Sequence, residues 1–369
     1  MNKNIQYKKL GDICDFISGG TPSKSKIEYW KDGKIPWIKI SDFKKKYIKI
    51  SDEKITKSGL ENSSAKILKK GTILYTIFAS VGKVAILDIE ATTNQAIVGI
   101  DLKENNLLDK DFLYYFLCSI ENNIKKQARG VAQNNINISI LKNISIPILS
   151  ISLQKNIVKT LKKLEDILEN FKQKKLLINF LNKSLFIKFN KNGVEKQLDE
   201  VADIIMGQSP LSQSYNIDKK GLPFYQGKTE FGDMYIKESN IYCNSPIKIA
   251  EKNDILMSVR APVGDVNIAI HKSCIGRGLA SIRAKKIDYL YLFYLLKEQK
   301  TRIEKMGVGS TFKAINKNNI SSLKMSIVEM NKQNKIKKYL ILTEKLSFNI
   351  SLDIFKISEI LKKKGVESN

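Results

Sequence analysis

Gln154-Lys155-Asn156-Ile157-Val158-Lys159-Thr160-Leu161-Lys162-Lys163-Leu164-Glu165-Asp166-Ile167-Leu168-Glu169-Asn170-Phe171 decides the reading of this chain. Ile157, Leu161, Leu164, Leu168 and Phe171 recur at alternating steps of four and three, and beyond Lys175 the stripe resumes at Ile178, Leu181 and Leu185. That is a heptad pattern, and neither proline nor glycine interrupts it as far as Phe189. A second stretch keeps the alternation through Ile336, Leu340, Thr343, Ser347, Ile350, Ile354, Ile357 and Leu361. Each predicts a helix of roughly 50 Å at about 1.5 Å per residue. A stripe this narrow needs a partner, and each helix is the obvious partner of the other.

Working outward, the chain on either side of the first helix is the same unit written twice. Leu10-Gly11-Asp12-Ile13-Cys14-Asp15-Phe16-Ile17-Ser18-Gly19-Gly20-Thr21-Pro22 matches Leu198-Asp199-Glu200-Val201-Ala202-Asp203-Ile204-Ile205-Met206-Gly207-Gln208-Ser209-Pro210 at a separation of 188. Ile73-Leu74 and Val81-Gly82 match Ile255-Leu256 and Val263-Gly264 at 182, where Asn94-Gln95-Ala96-Ile97 falls opposite Gly276-Arg277-Gly278-Leu279. Gly130, Ile136, Asn137, Gln154 and Ile157 match Gly309, Ile315, Asn316, Gln333 and Ile336 at 179. Strands are expected at 35–40, 73–78, 255–259 and 279–283, with aromatic-rich helices at 112–117 and 289–296. The expected fold is α+β: two tandem mixed α/β domains, 1–150 and 193–330, in pseudo-twofold arrangement. They are separated by two long helices, 151–192 and 331–369, forming an antiparallel coiled coil.

Of 369 residues, 63 are basic and 37 acidic, a formal net charge of +26. Such an excess opposes compaction unless a polyanion neutralises it, and nucleic acid is the first candidate. Only five of the basic residues are arginine, and a mixture rich in Lys, Ile and Asn also follows from AT-rich codons. The four cysteines are widely spaced, and no apolar run has the form of a secretory signal or membrane span, so a cytoplasmic protein without structural zinc is expected. The single histidine, His271, has no counterpart in the first unit. No adjacent prolines form a methyltransferase motif, and Gly82-Lys83 lacks the rest of a phosphate-binding loop. Glu298-Gln299-Lys300 echoes a metal nuclease but falls on an expected helix, so no catalytic residues and no metal site are expected.

Two similar basic domains held apart by long helices suit a two-part site, with both recognition faces on one side of a duplex. The stretches Gly207-Gln208-Ser209-Pro210, Gly221-Leu222-Pro223-Phe224-Tyr225-Gln226-Gly227, Ser258-Val259-Arg260-Ala261-Pro262-Val263-Gly264 and Gly276-Arg277-Gly278-Leu279-Ala280, with Gln154-Lys155-x-Ile157-Val158, resemble the specificity subunit of type I restriction-modification systems. The similarity covers essentially the whole chain. It implies two target-recognition domains, each reading half of a bipartite double-stranded DNA site, with the helices as spacer. It also implies partners: two methyltransferase subunits that bring S-adenosylmethionine, and motor-nuclease subunits that use ATP and Mg. No cofactor is then expected on this chain. One departure is Met325-Ser326-Ile327-Val328, which lacks the proline of Ile146-Pro147-Ile148-Leu149 and puts the approach to the second helix in doubt. The alternatives are a self-contained nuclease or methyltransferase, and a basic coiled-coil scaffold.

Residues shared by both copies cannot distinguish two half-sites, so Leu10/Leu198, Pro22/Pro210, Gly82/Gly264 and Gly130/Gly309 are expected to be framework. Divergent stretches, 23–61 and 211–245, are expected to carry readout. In the first, Lys39, Lys44, Lys45, Lys46 and Lys49 alternate with Trp37, Phe43 and Tyr47. In the second half, Gln226, Lys228, Arg260 and Arg277 are the candidates, since Gln pairs with adenine and Arg with guanine in the major groove; the two arginines also suit phosphate or framework roles.

Overall fold

Ile73–Thr76 and Ile255–Ser258 are apolar but for a closing hydroxyl residue, and such runs become strands covered on both faces. Both are buried along their whole length and lie at the centre of matched sheets in a computed structural model describing residues 5–104, 106–129, 135–306 and 314–363. In the first half the strand order is Cys14–Ser18, Ile97–Leu102, Ile73–Thr76, Val84–Leu87 and Tyr47–Ile48. In the second it is Ala202–Met206, Leu279–Ala284, Ile255–Ser258 and Val266–Ile268. Register repeats as well: Ile73 faces Ile100 and Ile86, as Ile255 faces Ile282 and Ile268. A further sheet in each half contains a parallel pair, Ile35–Ile38 with Thr92–Thr93 and Leu222–Tyr225 with Ser273–Ile275. Each half therefore has a mixed sheet, as expected, although the central sheet of the second is antiparallel throughout.

The framework residues have physical reasons to be shared. Leu10 and Leu198 are fully buried. Gly82 and Gly264 sit at φ +94 and +87, where a side chain is strained. Pro22 and Pro210 are buried. Gly130 and Gly309 lie outside the described residues.

Packing divides the chain into two units, one running to Lys174 and including the chain from Ile350, the other spanning Lys175–Asn349. The boundaries fall inside the two long helices, Ile151–Phe189 and Met330–Lys363. In the first unit, Leu161, Leu168 and Leu361 are buried in the core, with Ile157, Leu164, Ile354 and Ile357 packed against it. In the second, Phe186, Ile336 and Leu340 are core residues, and Phe189 stacks on Tyr339 with ring centroids 5.5 Å apart. Ile178 and Ile350 are buried, and Phe171 and Leu185 half-buried. Leu181 is a correction: it is exposed, while Asn182 is buried. The seam continues at steps of seven from Leu168 through half-buried Lys175, which reaches Asp233 at 2.7 Å, to Asn182 and Phe189. Geometry overrode hydrophobicity there, because a leucine one residue off the seam points away whatever its polarity.

Each long helix is clamped to its own domain by a buried glutamine. Gln154 Oε1 accepts from the Asp109 backbone N–H at 2.8 Å, and its Nε2 donates to the carbonyls of Leu107 at 3.1 Å and Leu149 at 2.8 Å. Gln333 repeats this, accepting from Asp288 N–H at 3.0 Å and donating to Val328 O at 2.8 Å. A turn or more further along, Tyr115 donates to Glu165 at 2.6 Å and Tyr294 to Glu344 at 2.7 Å. The missing proline changes nothing in the backbone: Ser145–Ile148 and Lys324–Ile327 are equal strands pairing with Gln6–Lys9 and Val194–Gln197. Pro147 is tolerated because that two-stranded ribbon leaves edge positions with no ladder bond to donate.

Candidate nucleic-acid interface

At one end of the central sheet of each unit, three chain segments meet in the same hydrogen-bonded frame. In the first unit, Gly19 N–H donates to Ile97 O at 3.0 Å, Gly20 N–H to Thr93 O at 2.8 Å and Asn94 N–H to Ile38 O at 3.1 Å. In the second, Gly207 N–H donates to Leu279 O at 2.9 Å, Gln208 N–H to Ile275 O at 3.0 Å and Gly276 N–H to Tyr225 O at 2.8 Å. Glycine is needed for this approach, since a Cβ on Gly19 would lie 2.1 Å from Asn94 O and one on Gly207 2.1 Å from Gly276 O.

The frame carries different polar side chains in the two units. Ser209 Oγ donates to Gln226 Oε1 at 2.9 Å and accepts from the Arg277 N–H at 3.3 Å, so Gln226 and Arg277 stand exposed beside one hydroxyl. In the first unit the Thr21 hydroxyl donates to Gln95 Oε1. Thr21 and Gln95 escaped the sequence reading, although the repeat had aligned Gln95 with Arg277. That alignment was the signal that could have found them.

The five candidate lysines of the first unit do not share one environment. Lys44, Lys45 and Lys49 are exposed; Lys44 and Lys49 lie 3.9 Å from Asp52 and Asp88, and Lys45 has no ion pair among the described residues. Lys39 shares Glu53 with Lys24, and their hydrogen bonds hold the Glu53 carboxyl below its ordinary range. Lys46 points inward, contrary to the surface role expected of it. Its ammonium lies 3.0 Å from Asp111 and 4.2 Å from the Tyr115 ring centre, a cation ion-paired inside the domain. Burial works to raise the Asp111 carboxyl, but Lys162 and Lys46 outweigh it and hold it below its usual range. Trp37 and Phe43 are core residues, leaving Tyr47 as the exposed aromatic of the series.

In the second unit Lys228 is paired with Asp265, which Lys300 also reaches at 2.6 Å. Arg260 is exposed, with a backbone bridge to Ala314. Arg283, unnoticed in the sequence, grips buried Asp254 through Nε at 3.0 Å and Nη2 at 2.9 Å, a packing role. His271 packs beside Tyr225, its Nε2 3.1 Å from the hydroxyl, which burial pushes up to about 12. Glu298 ends a helix, Tyr289–Glu298, and pairs with Lys183 at 3.3 Å.

The type I restriction modification DNA specificity domain matches residues 2–179 and again 190–348. The chain is 34% identical over 379 residues to the putative type I restriction enzyme MjaX specificity subunit of Methanocaldococcus jannaschii, covering 91% of this chain and 85% of that one. It is 32% identical over 167 residues to the EcoR124I/EcoR124II specificity subunit of Escherichia coli, covering 44% and 41% of the two. Among solved structures, a chain from work on complex assembly and conformational transition of the type I R-M system superposes with a TM-score of 0.69 at 24% identity, covering 98% of this chain and 96% of that one. The type I restriction-modification S subunit from M. genitalium does so at 0.59 and 20% identity, covering 100% and 98%. At these identities the superpositions establish a shared fold.

Proposed function

This chain belongs to the type I restriction-modification DNA specificity family, and we propose from that premise how its two units serve sequence selection. The protein is a DNA specificity subunit, and each unit reads one half of a bipartite site. The observation that carries this is the repeated glycine-bounded frame: one backbone geometry, presented twice, holding Thr21 and Gln95 in one unit and Ser209, Gln226 and Arg277 in the other. Identical frames with different side chains are what two unlike half-sites require. Exposed Lys44, Lys45 and Lys49 supply phosphate contacts that hold register without reading sequence.

The two long helices pair as a coiled coil and set the separation of the half-sites. They also dock the partners. Leu176, Leu177, Phe180, Leu342, Leu346 and Phe348 are all exposed on them, more apolar surface than a helix facing only water retains. The partners are two methyltransferase subunits carrying S-adenosylmethionine, and motor-nuclease subunits carrying ATP and Mg; this chain contributes selection and assembly, not bond-making.

The test is to co-produce the chain with its methyltransferase partner and map N6-methyladenine in host DNA. A methylated two-part motif with a fixed spacer is expected. A soluble complex that methylates without sequence selection would refute the reading.

A further inference from the structure

We infer that Gln95 and Arg277 occupy one and the same base-reading position in the two units, so that Gln95 selects adenine in one half-site and Arg277 selects guanine in the other. The inference rests on the reading of each unit as a DNA-binding domain and deepens it to a residue. Three observations converge on it. First, the backbone on both sides of the two residues is superimposable in its hydrogen bonding: Ile97 N–H donates to Asn94 O at 3.1 Å, and Leu279 N–H to Gly276 O at 3.0 Å, closing the same tight turn around residues 95 and 277. Second, both side chains are exposed at the tip of that turn, beside a hydroxyl residue at the same position of the repeat, Thr21 or Ser209.

Third, the local hydrogen bonds leave each side chain with the pattern its base needs. Gln95 Oε1 accepts from Thr21, which holds the amide while its NH2 donors and one oxygen lone pair remain available on an exposed side chain. A donor and an acceptor side by side match N7 and N6 of adenine. In the second unit the Ser209 hydroxyl donates to the Gln226 amide oxygen and meets Arg277 only at its backbone N–H, so the guanidinium keeps its full fork of donors for O6 and N7 of guanine. The hydroxyl is thus a positioning residue in both units: Thr21 sets the Gln95 amide, and Ser209 sets the Gln226 amide together with the backbone turn at Arg277.

The full chain, assembled with its methyltransferase partner, would be exposed to a duplex library randomised across both half-sites, as wild type, Gln95→Arg, Gln95→Ala and Arg277→Gln. In the wild type, one half-site should require adenine and the other guanine at the positions concerned. Gln95→Arg should change adenine to guanine at a single position of one half-site, with a preference of about ten- to a hundred-fold, and leave the other half untouched. Arg277→Gln should make the opposite change in the other half. Gln95→Ala should remove the preference there without creating a new one. Uniform weakening on all sequences, or unchanged motifs in all three variants, would overturn the inference while leaving the subunit's function standing. A wild-type complex that selects no sequence at all would overturn both.

Discussion

Truncating Gln154 to alanine should loosen the first long helix from the domain it leaves. The side chain is fully buried, accepts one backbone hydrogen bond at 2.8 Å and donates two, at 3.1 and 2.8 Å. Alanine removes all three and leaves the Asp109 N–H and the Leu107 and Leu149 carbonyls facing a cavity. Each orphaned group costs about 1–3 kcal/mol when dry. The three share one cavity that water can enter, so a total of about 2–4 kcal/mol is expected. Glutamate keeps the shape and the acceptor but, ionised, cannot donate to the carbonyls. Gln154→Glu should therefore be at least as destabilising at neutral pH and recover partly in acid, where the carboxyl regains a donor. Both tryptophans, Trp30 and Trp37, lie in the first unit, so their fluorescence during urea unfolding reports on that unit. Gln154→Ala should shift the tryptophan transition, whereas Gln333→Ala should act chiefly on circular dichroism. A Gln154→Ala protein within about 0.5 kcal/mol of wild type would refute the clamp, since that is the range of substitutions at featureless surface positions.

Gln226→Ala should relax one position of a half-site, at a cost of about 1–3 kcal/mol for its preferred base, while Lys45→Ala should weaken every sequence and reduce the salt slope by about one; binding across a site library at several salt concentrations separates them, and equal losses on all sites for Gln226→Ala would remove its readout role. Burial works to raise the Asp265 carboxyl, but Lys228 and Lys300 outweigh it and hold it below its ordinary range. A depressed folded-state value gives stability that is complete above the unfolded value of about 4 and fades as pH falls through the folded one. Asp265→Asn should therefore flatten the loss of stability of the second unit on acidification below about pH 4, read as urea midpoints; an unchanged slope would count against the pairing. Adding one heptad to each long helix lengthens it by about 10 Å, which should widen the spacer between methylated half-sites by about three base pairs without altering either half. Sequencing of methylated DNA reads both, and an unchanged spacer would show that the helices do not set it.

The parts legible in the sequence were those governed by local periodicity or by the repeat. The seam from Gln333 to Leu361 follows the 3.5-residue pattern, and buried or half-buried residues fall at each expected step, including Thr343 and Ser347. The central strands announced themselves as apolar runs. Where the pattern was weak, hydrophobicity misled: Leu181 looked like a seam residue, yet helix geometry awarded the place to Asn182. Lys46 looked like its neighbours Lys44 and Lys45, because nothing local records that Asp111 and two tyrosine rings, more than sixty residues away, would enclose it.

By itself, then, the sequence determined that the chain is one unit written twice, that two long striped helices follow the two copies, and that its charge suits a polyanion. These are properties of spacing and composition, which survive without any knowledge of contacts. Only tertiary structure decided which polar residues stand together. Thr21 and Gln95 come from two distant segments and Ser209, Gln226 and Arg277 from three, and it is the backbone hydrogen bonds between strand ends that bring each set to one place. A reading surface assembled from long-range contacts has no periodicity of its own, so chain order cannot reveal it.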